Sequence, residues 1–340
     1  MKKPLVLLLV TALMLLTLGG CAAQAPGEEG GSEGSAAAVE NVAMLLPGMI
    51  SDQSFNYSAY LGLEEIKEKG YNTAYTESVA ENDIESVYRT YANGDYQLIM
   101  GHGYQFVDPI LAVAPDYPEK YFYVYGSAPT NVAEADLPGN VAFSYNKEYE
   151  GAYVCGVMAG METKTNVIGM VGGAPSNPQI ANNNAFRAGA QSVNPDVQVM
   201  FIMTGTFTDP AAGKEAAISL IDQNCDVLMH NCDATGVGVI DACVEKNVKV
   251  IGYGGDQREL APDQMLCCLG VNTAKCISDQ IEKIQNGTFS GIQREGIATG
   301  AIYITEYGTA CSQESIDKCN EVIKGITDGS IVPEEITTEY

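Results

Sequence analysis

Residues 42–77 read VAMLLPGMISDQSFNYSAYLGLEEIKEKGYNTAYTE and contain one complete β-α-β unit. The apolar run Val42–Leu46 predicts a buried strand, and the polar residues 48–54 predict a loop. An amphipathic pattern over Tyr57–Lys69, closed by a glycine, predicts a helix, and Thr73–Glu77 predicts a second strand. Short strands separated by a helix are typical of a parallel sheet with helices packed on its faces.

The same alternation continues along the chain and then restarts. The first half is predicted to continue with helix Asp83–Ala92, strand Gln97–Gly101, helix Val107–Ala114, and strands Tyr121–Tyr125 and Val141–Tyr145. In the second half, the predicted strands are Val167–Val171, Val197–Met203, Val227–His230, Val248–Tyr253 and Ala298–Ile304, and Met265–Val271 is a further apolar run. The predicted helices are Tyr149–Met161, Asn183–Ser192, Ala211–Gln223, Val237–Lys246, Thr273–Gln285 and Gln313–Thr327.

Two repeats of this pattern, without a weakly structured linker between them, predict an α/β protein with two Rossmann-like lobes. We expect each lobe to hold a parallel sheet, and the lobes to be joined by a hinge of strands that cross near Tyr145, Val271 and Tyr303. Ligands of parallel sheets lie outside the carboxyl ends of the strands, so a small ligand is expected in the cleft between the lobes. The expected division is an N-terminal lobe of residues 42–145 with part of 272–305, and a C-terminal lobe of residues 146–271 with part of 306–340.

The composition argues against two classes of function. The chain of 340 residues has 18 Lys and Arg against 43 Asp and Glu, a formal charge of −25. Because phosphate binding needs clustered basic residues, we expect no nucleic-acid partner. Only two histidines are present, His102 and His230, which leaves little room for a histidine-based metal site or catalytic triad. We expect both to be structural, with a hydrogen-bond donor to a ligand as the alternative for His102. We expect no metal or other cofactor.

Residues 1–20 have the pattern of an export signal, because two lysines precede an apolar run over residues 4–18. That run is shorter than the roughly 20 residues of a membrane span. Small residues lead directly to Cys21, which resembles a bacterial lipobox. We therefore expect a lipidated Cys21 on the extracytoplasmic face of the cell membrane, with a secreted protein carrying a free Cys21 as the alternative. Residues 21–41 predict a flexible acidic linker.

Nine further cysteines are scattered along the chain, with no CxxC pair and no zinc-ligand spacing. In an exported protein they indicate either some disulfides or a host that lives in reducing conditions. Because nine is an odd number, at least one thiol stays free if all pairing is intramolecular.

Several short motifs occur in a fixed order along the chain. They are Ser51–Asn56 (SDQSFN), Gly101–Phe106 (GHGYQF), Tyr149–Gly156 (YEGAYVCG), Ile168–Gly173 (IGMVGG), Gly189–Ala190 with Val193–Pro195, Phe207–Pro210 (FTDP), Ile251–Tyr253 and Asp256–Gln257. Behind a lipobox, this ordered set resembles the basic membrane protein family of substrate-binding lipoproteins, which serve ABC transporters. The resemblance covers most of residues 42–305. It implies a type I periplasmic-binding-protein fold, a purine ligand and an ABC permease as the membrane partner.

The resemblance also implies two aromatic side chains that stack on the purine, Phe55 from one lobe and Phe207 from the other. Stacking of this kind is worth roughly 1–3 kcal/mol per base. Both rings could instead belong to the core. That alternative is more natural for Phe207, because Phe55 lies in a polar loop.

The polar candidates for the edge of the base are Asp52, Asn56, Asp233 and Asp256. Asp52 and Asn56 either hold the base or cap the helix that begins near Tyr57. Asp233 follows a strand, which favours a position in the cleft, although it could also cap the next helix. Gly103 lets backbone N–H groups approach a ligand, and Tyr104 is a candidate aromatic at the rim.

The chain departs from the nucleoside-binding members of the family at two positions. In those members an Asp that holds the ribose hydroxyls follows the strand matching Val248–Tyr253, whereas Gly254-Gly255 stands here. A second family Asp is replaced around Gly126-Ser127. An unpaired buried hydroxyl costs roughly 1–3 kcal/mol, so we expect a nucleobase rather than a nucleoside, and residues 252–262 resemble a subgroup that takes a free purine base. The alternatives are a nucleoside or flavin ligand, or a ligand sensor for a membrane receptor. The sequence carries no GxSxG motif and no DxD-type cluster that would indicate an enzyme.

Overall fold

The computed structural model describes residues 38–338 of the chain. The predictions for residues 1–20, for Cys21 and for most of the linker 21–41 lie outside the described residues. The folded body already includes Val39, which is 5% exposed and packs into the core. The first strand begins directly after it.

The first sheet has six strands among the described residues, and all of its pairings are parallel. Its strands are β1 (Asn41–Leu45), β2 (Asn72–Thr76), β3 (Leu98–His102), β4 (Tyr121–Tyr125), β5 (Val141–Asn146) and β11 (Gly291–Glu295). Their order in space is β11-β5-β4-β3-β1-β2. The central strands are apolar and fully buried because helices cover both faces of the sheet.

The second sheet repeats this arrangement within residues 167–304. Its strands are β6 (Val167–Gly172), β7 (Gln198–Met203), β8 (Val227–Asn231), β9 (Lys249–Gly254), β10 (Met265–Val271) and β12 (Ile302–Ile304). Their order is β12-β10-β9-β8-β6-β7, and β12 alone among them pairs antiparallel. The predicted α/β fold of two lobes with parallel sheets is therefore confirmed, with an antiparallel edge strand added to the second sheet.

The α-helices of the described chain are α1 (Phe55–Glu68), α2 (Ile84–Ala92), α3 (Val107–Val113), α4 (Glu148–Glu162), α5 (Asn177–Val193), α6 (Pro210–Asp222), α7 (Asp233–Lys246), α8 (Thr273–Gln285) and α9 (Gln313–Asp328). Helices α2 and α3 cover one face of the first sheet, and α6 and α7 cover the corresponding face of the second. Helices α1 and α8 pack together on the first lobe, whereas α4, α5 and α9 pack together on the second.

The described chain passes between the two sheets three times, at Lys147, at Asn272 and over residues 296–301. The third passage differs from the prediction, because only Ile302–Ile304 of the predicted strand Ala298–Ile304 is extended and the residues before it form a turn. The strand β11 was not predicted. Its residues are polar and mostly half-buried, so it lacks the apolar run that marks the inner strands.

The nine cysteines of the described residues are free thiols, and eight of them are buried, as is usual for cysteines that pack as small apolar side chains. In the part of the chain that the structure describes, no helix has the length and apolar character that a membrane span requires.

Candidate ligand-binding site

A cavity of about 600 Å³ lies at the carboxyl ends of the strands and is lined by residues of both lobes. Its size falls within the range of small-molecule sites. Of the residues singled out from the sequence, those that line it are Asp52, Phe55, Asn56, Gly103, Tyr104, Phe207 and Asp233. The fold therefore brings seven of the eight predicted ligand-binding residues to one place.

Phe55 is the front ring of a buried aromatic stack. Its ring centroid lies 3.9 Å from that of His102 at an interplanar angle of 29°, and the His102 ring stacks on Tyr125 at 4.8 Å. The His102 Nε2 atom lies 3.1 Å from the carbonyl oxygen of Phe55. Burial lowers the pKa of His102 to about 3, so the ring is neutral and its Nε2–H donates to that carbonyl. The stack thus gives the N-terminal lobe a fixed, uncharged aromatic wall.

Asp52 and Asn56 form the network that starts α1. The Asp52 carboxylate accepts hydrogen bonds from the backbone N–H groups of Ser54, Asn56 and Tyr57, each at 2.9 Å. The Asn56 amide donates to Asp52 at 2.7 Å and accepts from the Gly48 N–H at 3.1 Å. Asp52 therefore caps the first turn of α1, whereas Asn56 joins this carboxylate to the loop at Gly48. The polar atoms of both side chains are occupied by the protein itself.

Phe207 and Tyr104 border the cavity from opposite lobes. Phe207 is half-buried and packs partly against the C-terminal core. Its ring lies so close to the backbone of Gly173 that a side chain at that position would overlap it. Tyr104 is 54% exposed, as expected of a residue at the rim. The preceding Gly103 has φ = +123°, a conformation that side chains other than glycine rarely adopt.

The C-terminal lobe presents polar atoms that the protein leaves without partners. Gln179 donates through Nε2 to the backbone oxygen of Asn231 at 3.0 Å, but among the described residues neither Gln179 Oε1 nor Asn231 Nδ2 has a hydrogen-bond partner. Both side chains are buried and line the cavity. Because buried polar atoms are normally paired, these two atoms are exceptions within the cavity wall.

Asp233 follows Asn231 at the carboxyl end of β8 and is the first residue of α7. Its side chain makes no capping bond to that helix, and its backbone is left-handed with φ = +48°. Part of its surface is open to the cavity, although the cleft around it is enclosed by protein. Burial, with smaller effects from the carboxylates of Asp52 and Glu148, raises the pKa of Asp233 well above its ordinary value.

The cavity residues that were not predicted from the sequence include Glu148, Gln179, Asn182, Asn231 and Tyr253. The Glu148 carboxylate accepts from the Tyr253 hydroxyl at 2.7 Å and from the Asn182 amide at 3.4 Å. Burial raises the pKa of Glu148, and the two hydrogen bonds act in the opposite direction. A signal was present, because NPQIANNN over residues 177–184 places buried amides on α5.

Asp256 lies outside this cavity, which corrects its expected position. Its carboxylate is partly exposed and pairs with Arg258 at 2.6 Å, since the guanidinium two residues further on draws it to the surface. The neighbouring Gln257 does reach the other lobe, where its Nε2 donates to the backbone oxygen of Gln53 at 2.9 Å. Ser54 makes a second contact between the lobes, because its hydroxyl donates to the backbone oxygen of Tyr253 at 2.9 Å.

Two lobes of this topology, with a ligand-sized cavity at facing strand ends, define a ligand-binding protein of the periplasmic-binding-protein fold. The chain belongs to the family described as ABC transporter substrate-binding protein PnrA-like, whose model matches residues 39–335. The resemblance to basic membrane proteins is therefore confirmed. This family acts outside the cytoplasm, and its members are binding proteins rather than enzymes.

Three curated relatives illustrate the range of the family. Over 72% of its own length, the chain is 30% identical to a putative ABC transporter glucose-binding protein, TsgA13, of Haloferax volcanii. Over 64% it is 30% identical to a purine-binding protein of Brucella abortus. Over 62% it is 31% identical to the ABC transporter nucleoside-binding protein BmpA of Lactococcus lactis. It spans about three fifths of each relative: 61%, 60% and 62%.

One solved structure supports the fold. The chain superposes on an ABC transporter solute-binding protein from Aeropyrum pernix K1 with a TM-score of 0.76 and 22% identity, covering 87% of this chain and 94% of that one. At this level of identity the similarity establishes the fold, which agrees with the topology described above.

Proposed function

We propose that this chain captures a free purine base in the cleft and delivers it to the permease of an ABC importer, while a lipid on Cys21 holds it at the extracytoplasmic face of the membrane. The observation that carries the proposal is the pairing of two unlike walls around one cavity. Phe55 offers a fixed aromatic face, and the opposite lobe offers unpaired amide atoms and a carboxylate.

A purine matches these walls because it has two flat apolar faces and a polar edge. Aromatic side chains stack on such faces, and polar groups held in place by the protein recognise the edge. The Brucella relative that is named as purine-binding supports this ligand class. A sugar, as the name of the Haloferax relative indicates, carries hydroxyls around its rim and has only small, puckered C–H faces, so it would contact less of the aromatic wall than a flat purine.

The preference for a base over a nucleoside rests on Gly254. This residue has φ = +93°, and a Cβ atom placed on it would lie 2.6 Å from the Ser54 carbonyl carbon and 2.8 Å from the Phe55 nitrogen. A side chain at Gly254 would therefore overlap the N-terminal lobe, whereas no atom lies within 4 Å of a Cβ placed on the neighbouring Gly255. Gly126, where the second carboxylate is absent, faces open space in the cavity wall.

A nucleoside is the second candidate, and the volume of the cavity favours it. The space of about 600 Å³ is larger than a bare purine fills, and the Lactococcus relative is named as nucleoside-binding. If a nucleoside is bound, its ribose must contact cavity residues other than Gly254.

Calorimetric titration of the purified chain tests both candidates. The panel contains adenine, guanine, hypoxanthine and xanthine, the nucleosides adenosine, inosine and guanosine, and riboflavin and glucose as other ligand classes. We expect at least one base to bind roughly 10-fold or more tightly than its nucleoside, because each buried unpaired hydroxyl has a cost of this order. Equal or tighter binding of the nucleoside would favour the second candidate, and no binding of any purine compound would overturn the proposal.

The transport and anchoring parts of the proposal need separate measurements. Uptake of the radiolabelled base by cells with and without this chain distinguishes import from ligand sensing, because a sensor would leave the uptake rate unchanged. For the anchor, we expect Cys21→Ser to abolish incorporation of labelled fatty acid and to release the protein from the membrane. Retention of both in the variant would contradict lipidation at Cys21.

A further inference from the structure

The charged side chains that line the cavity are all acidic. Among the described residues that line it are Asp52, Glu148 and Asp233, and no Lys, Arg or His. An anionic ligand would meet these carboxylates in a partly desolvated space without any compensating cation, which is unfavourable. The cavity therefore suits an uncharged ligand that donates hydrogen bonds.

Among the described lining residues, two of the three carboxylates keep an oxygen free for such donors: Asp233 and Glu148. Asp52 accepts three backbone N–H bonds and one from Asn56. Glu148 accepts from Tyr253 and Asn182. Asp233 makes no hydrogen bond within the part of the chain that the structure describes, although it opens onto the same cavity. Glu148 receives both of its hydrogen bonds at Oε2, so its Oε1 is open as well, but of the three described carboxylates Asp233 is the one that offers a ligand both oxygens.

A donor accompanies this acceptor. Asn231, two residues earlier at the end of β8, is 2% exposed and keeps Nδ2 without a partner among the described residues. Its backbone is held by Gln179 at 3.0 Å. The end of β8 and the start of α7 thus present an amide donor near a carboxylate with two acceptor oxygens.

We propose that Asn231 and Asp233 together select a purine whose edge carries one acceptor followed by two adjacent N–H donors. This inference rests on the proposed function and specifies its ligand. A 2-amino-6-oxopurine, guanine, has this edge: its 6-oxo group accepts from Asn231, and its N1–H and 2-amino groups donate to the two Asp233 oxygens. Two donors from the ligand favour the ionised form of Asp233 and so oppose the burial that raises its pKa in the free protein. Bidentate hydrogen bonding to a carboxylate is geometrically specific and strong.

Other purines match this pair less well. Hypoxanthine lacks the 2-amino donor, so it leaves one Asp233 oxygen unpaired. Adenine presents an unprotonated N1 acceptor, and xanthine presents a 2-oxo group, so each directs a lone pair at the carboxylate. Guanosine 5′-monophosphate adds a charged phosphate to a cavity that has no basic side chain among its described lining residues. The predicted order of affinity is guanine, then hypoxanthine, then adenine and xanthine, with the nucleotide unbound.

The test is a calorimetric comparison of guanine with hypoxanthine in the wild-type chain and in Asp233→Asn. We expect guanine to bind wild type roughly 10-fold or more tightly than hypoxanthine, because one hydrogen bond to a charged group is at stake. In Asp233→Asn the ratio of the two affinities should fall to near one. Asp241→Asn, an exposed Asp on the same helix, is the matched control and should leave the ratio unchanged.

A second variant guards against a general defect of the site. Asn231→Asp replaces the donor that faces the 6-oxo group, which guanine and hypoxanthine share. This variant should lower the affinities for guanine and hypoxanthine by a similar factor and preserve the ratio of the two affinities. Asparagine tolerates the left-handed backbone of position 233, and a thermal melt of each variant shows whether it is folded.

The outcomes separate this inference from the proposed function. If wild type binds purines without preferring guanine to hypoxanthine, or if Asp233→Asn keeps that preference, the inference is overturned while purine capture stands. If no purine base or nucleoside binds, the proposed function fails and the inference fails with it.

Discussion

The two lobes have the same strand order but use their polar side chains in opposite ways. In the N-terminal lobe, Asp52 and Asn56 reach the cavity wall with their polar atoms already bonded to the start of α1, so that Phe55 is the surface left for a ligand. In the C-terminal lobe, Asn231 and Asp233 follow a strand at the corresponding edge and keep polar atoms unpaired. One lobe therefore provides a flat apolar face and the other provides hydrogen-bonding groups.

The two histidines repeat this contrast behind the cavity. Each lies near the carboxyl end of the third strand in its lobe, and each is fully buried. His102 stacks on Phe55 and supports the aromatic wall. His230 instead bonds through Nε2 to Gln257 Oε1 at 2.9 Å, and Gln257 crosses to Gln53 of the other lobe. The first histidine supports the ligand face, and the second supports the contact between the lobes.

The largest expected effect on ligand affinity comes from a substitution at Gly254. Gly254 and Gly126 lie where the resemblance implies carboxylates in the nucleoside-binding members. Gly254→Asp should weaken binding of every purine roughly 100-fold or more, because its side chain would meet the backbone of Ser54 and Phe55 when the lobes are in contact. Gly126→Asp should lower the stability of the fold, because Gly126 has φ = +88°, but its purine affinity should stay within about 10-fold of wild type, because no atom lies within 4 Å of a Cβ placed there. Tighter binding of a nucleoside to Gly254→Asp, measured by calorimetry, would contradict the steric argument.

The pH dependence of stability tests the buried histidines of both lobes. Burial lowers the pKa of His230 to about 4 and that of His102 to about 3. Below pH 6.5 the unfolded chain therefore binds protons that the folded chain does not, so the contribution of each histidine to stability is lost as the pH falls towards these values. Between pH 7 and pH 5 we expect each to lower the free energy of unfolding by about 1–2 kcal/mol.

Urea unfolding of wild type, His102→Gln and His230→Gln at the two pH values isolates these contributions. The variants should be less stable than wild type at pH 7, but each should lose less stability on acidification. The acidic residues Asp233 and Glu148, whose pKa values are raised, act in the opposite sense and are common to all three proteins. An unchanged pH dependence in a variant would mean that its histidine is not held neutral in the folded state.

Removal of the aromatic face should weaken the binding of all purines by a similar factor. Phe55→Ala is expected to cost about 1–3 kcal/mol of binding free energy, which is roughly a 5- to 150-fold loss of affinity. The loss should be similar for all bases, because base–aromatic stacking depends little on the substituents of the base. The ratio of guanine to hypoxanthine affinity should stay at its wild-type value, in contrast to its collapse in Asp233→Asn. A change in that ratio would show that the N-terminal lobe also reads the edge of the base.

The smallest expected effect concerns the contact between the lobes. Ser54→Ala removes the 2.9 Å hydrogen bond from the Ser54 hydroxyl to the backbone oxygen of Tyr253. The substitution leaves the side chains of the aromatic wall and of the polar wall unchanged. We expect a loss of about 1 kcal/mol in binding free energy, shared by all ligands and seen mainly as faster dissociation in stopped-flow experiments. Unaltered dissociation would show that this contact does not stabilise the ligand-bound arrangement.

The sequence was most informative where apolar runs and helix signals coincide. The inner strands of both sheets were predicted because they are buried on both faces, which makes them continuous apolar runs. The start of α5 was placed too late, at Asn183 rather than Asn177, because its polar first turns obscure the helical pattern. The residues Ser176-Asn177-Pro178 do carry a helix-start signal, since proline is favoured in the first turn.

The site was harder to predict than the fold, because a residue type does not reveal which partner its polar atoms choose. Asp52 and Asp233 both follow strands and both begin helices, yet the first caps its helix and the second does not. Asp256 was drawn to the surface by Arg258, a choice that depends on the local turn. The amides of α5 lie in the cavity wall because α5 packs against the preceding helix α4, a tertiary contact that no local residue pattern specifies.

A crystal structure of the chain with bound guanine tests the division of roles between the lobes most directly. The account predicts a purine ring stacked on Phe55, with N1 and the 2-amino nitrogen about 2.7–3.2 Å from the Asp233 carboxylate oxygens and the 6-oxo group near Asn231 Nδ2. A base whose edge bonds to Asp52 and Asn56, with Asp233 left in solvent, would contradict it.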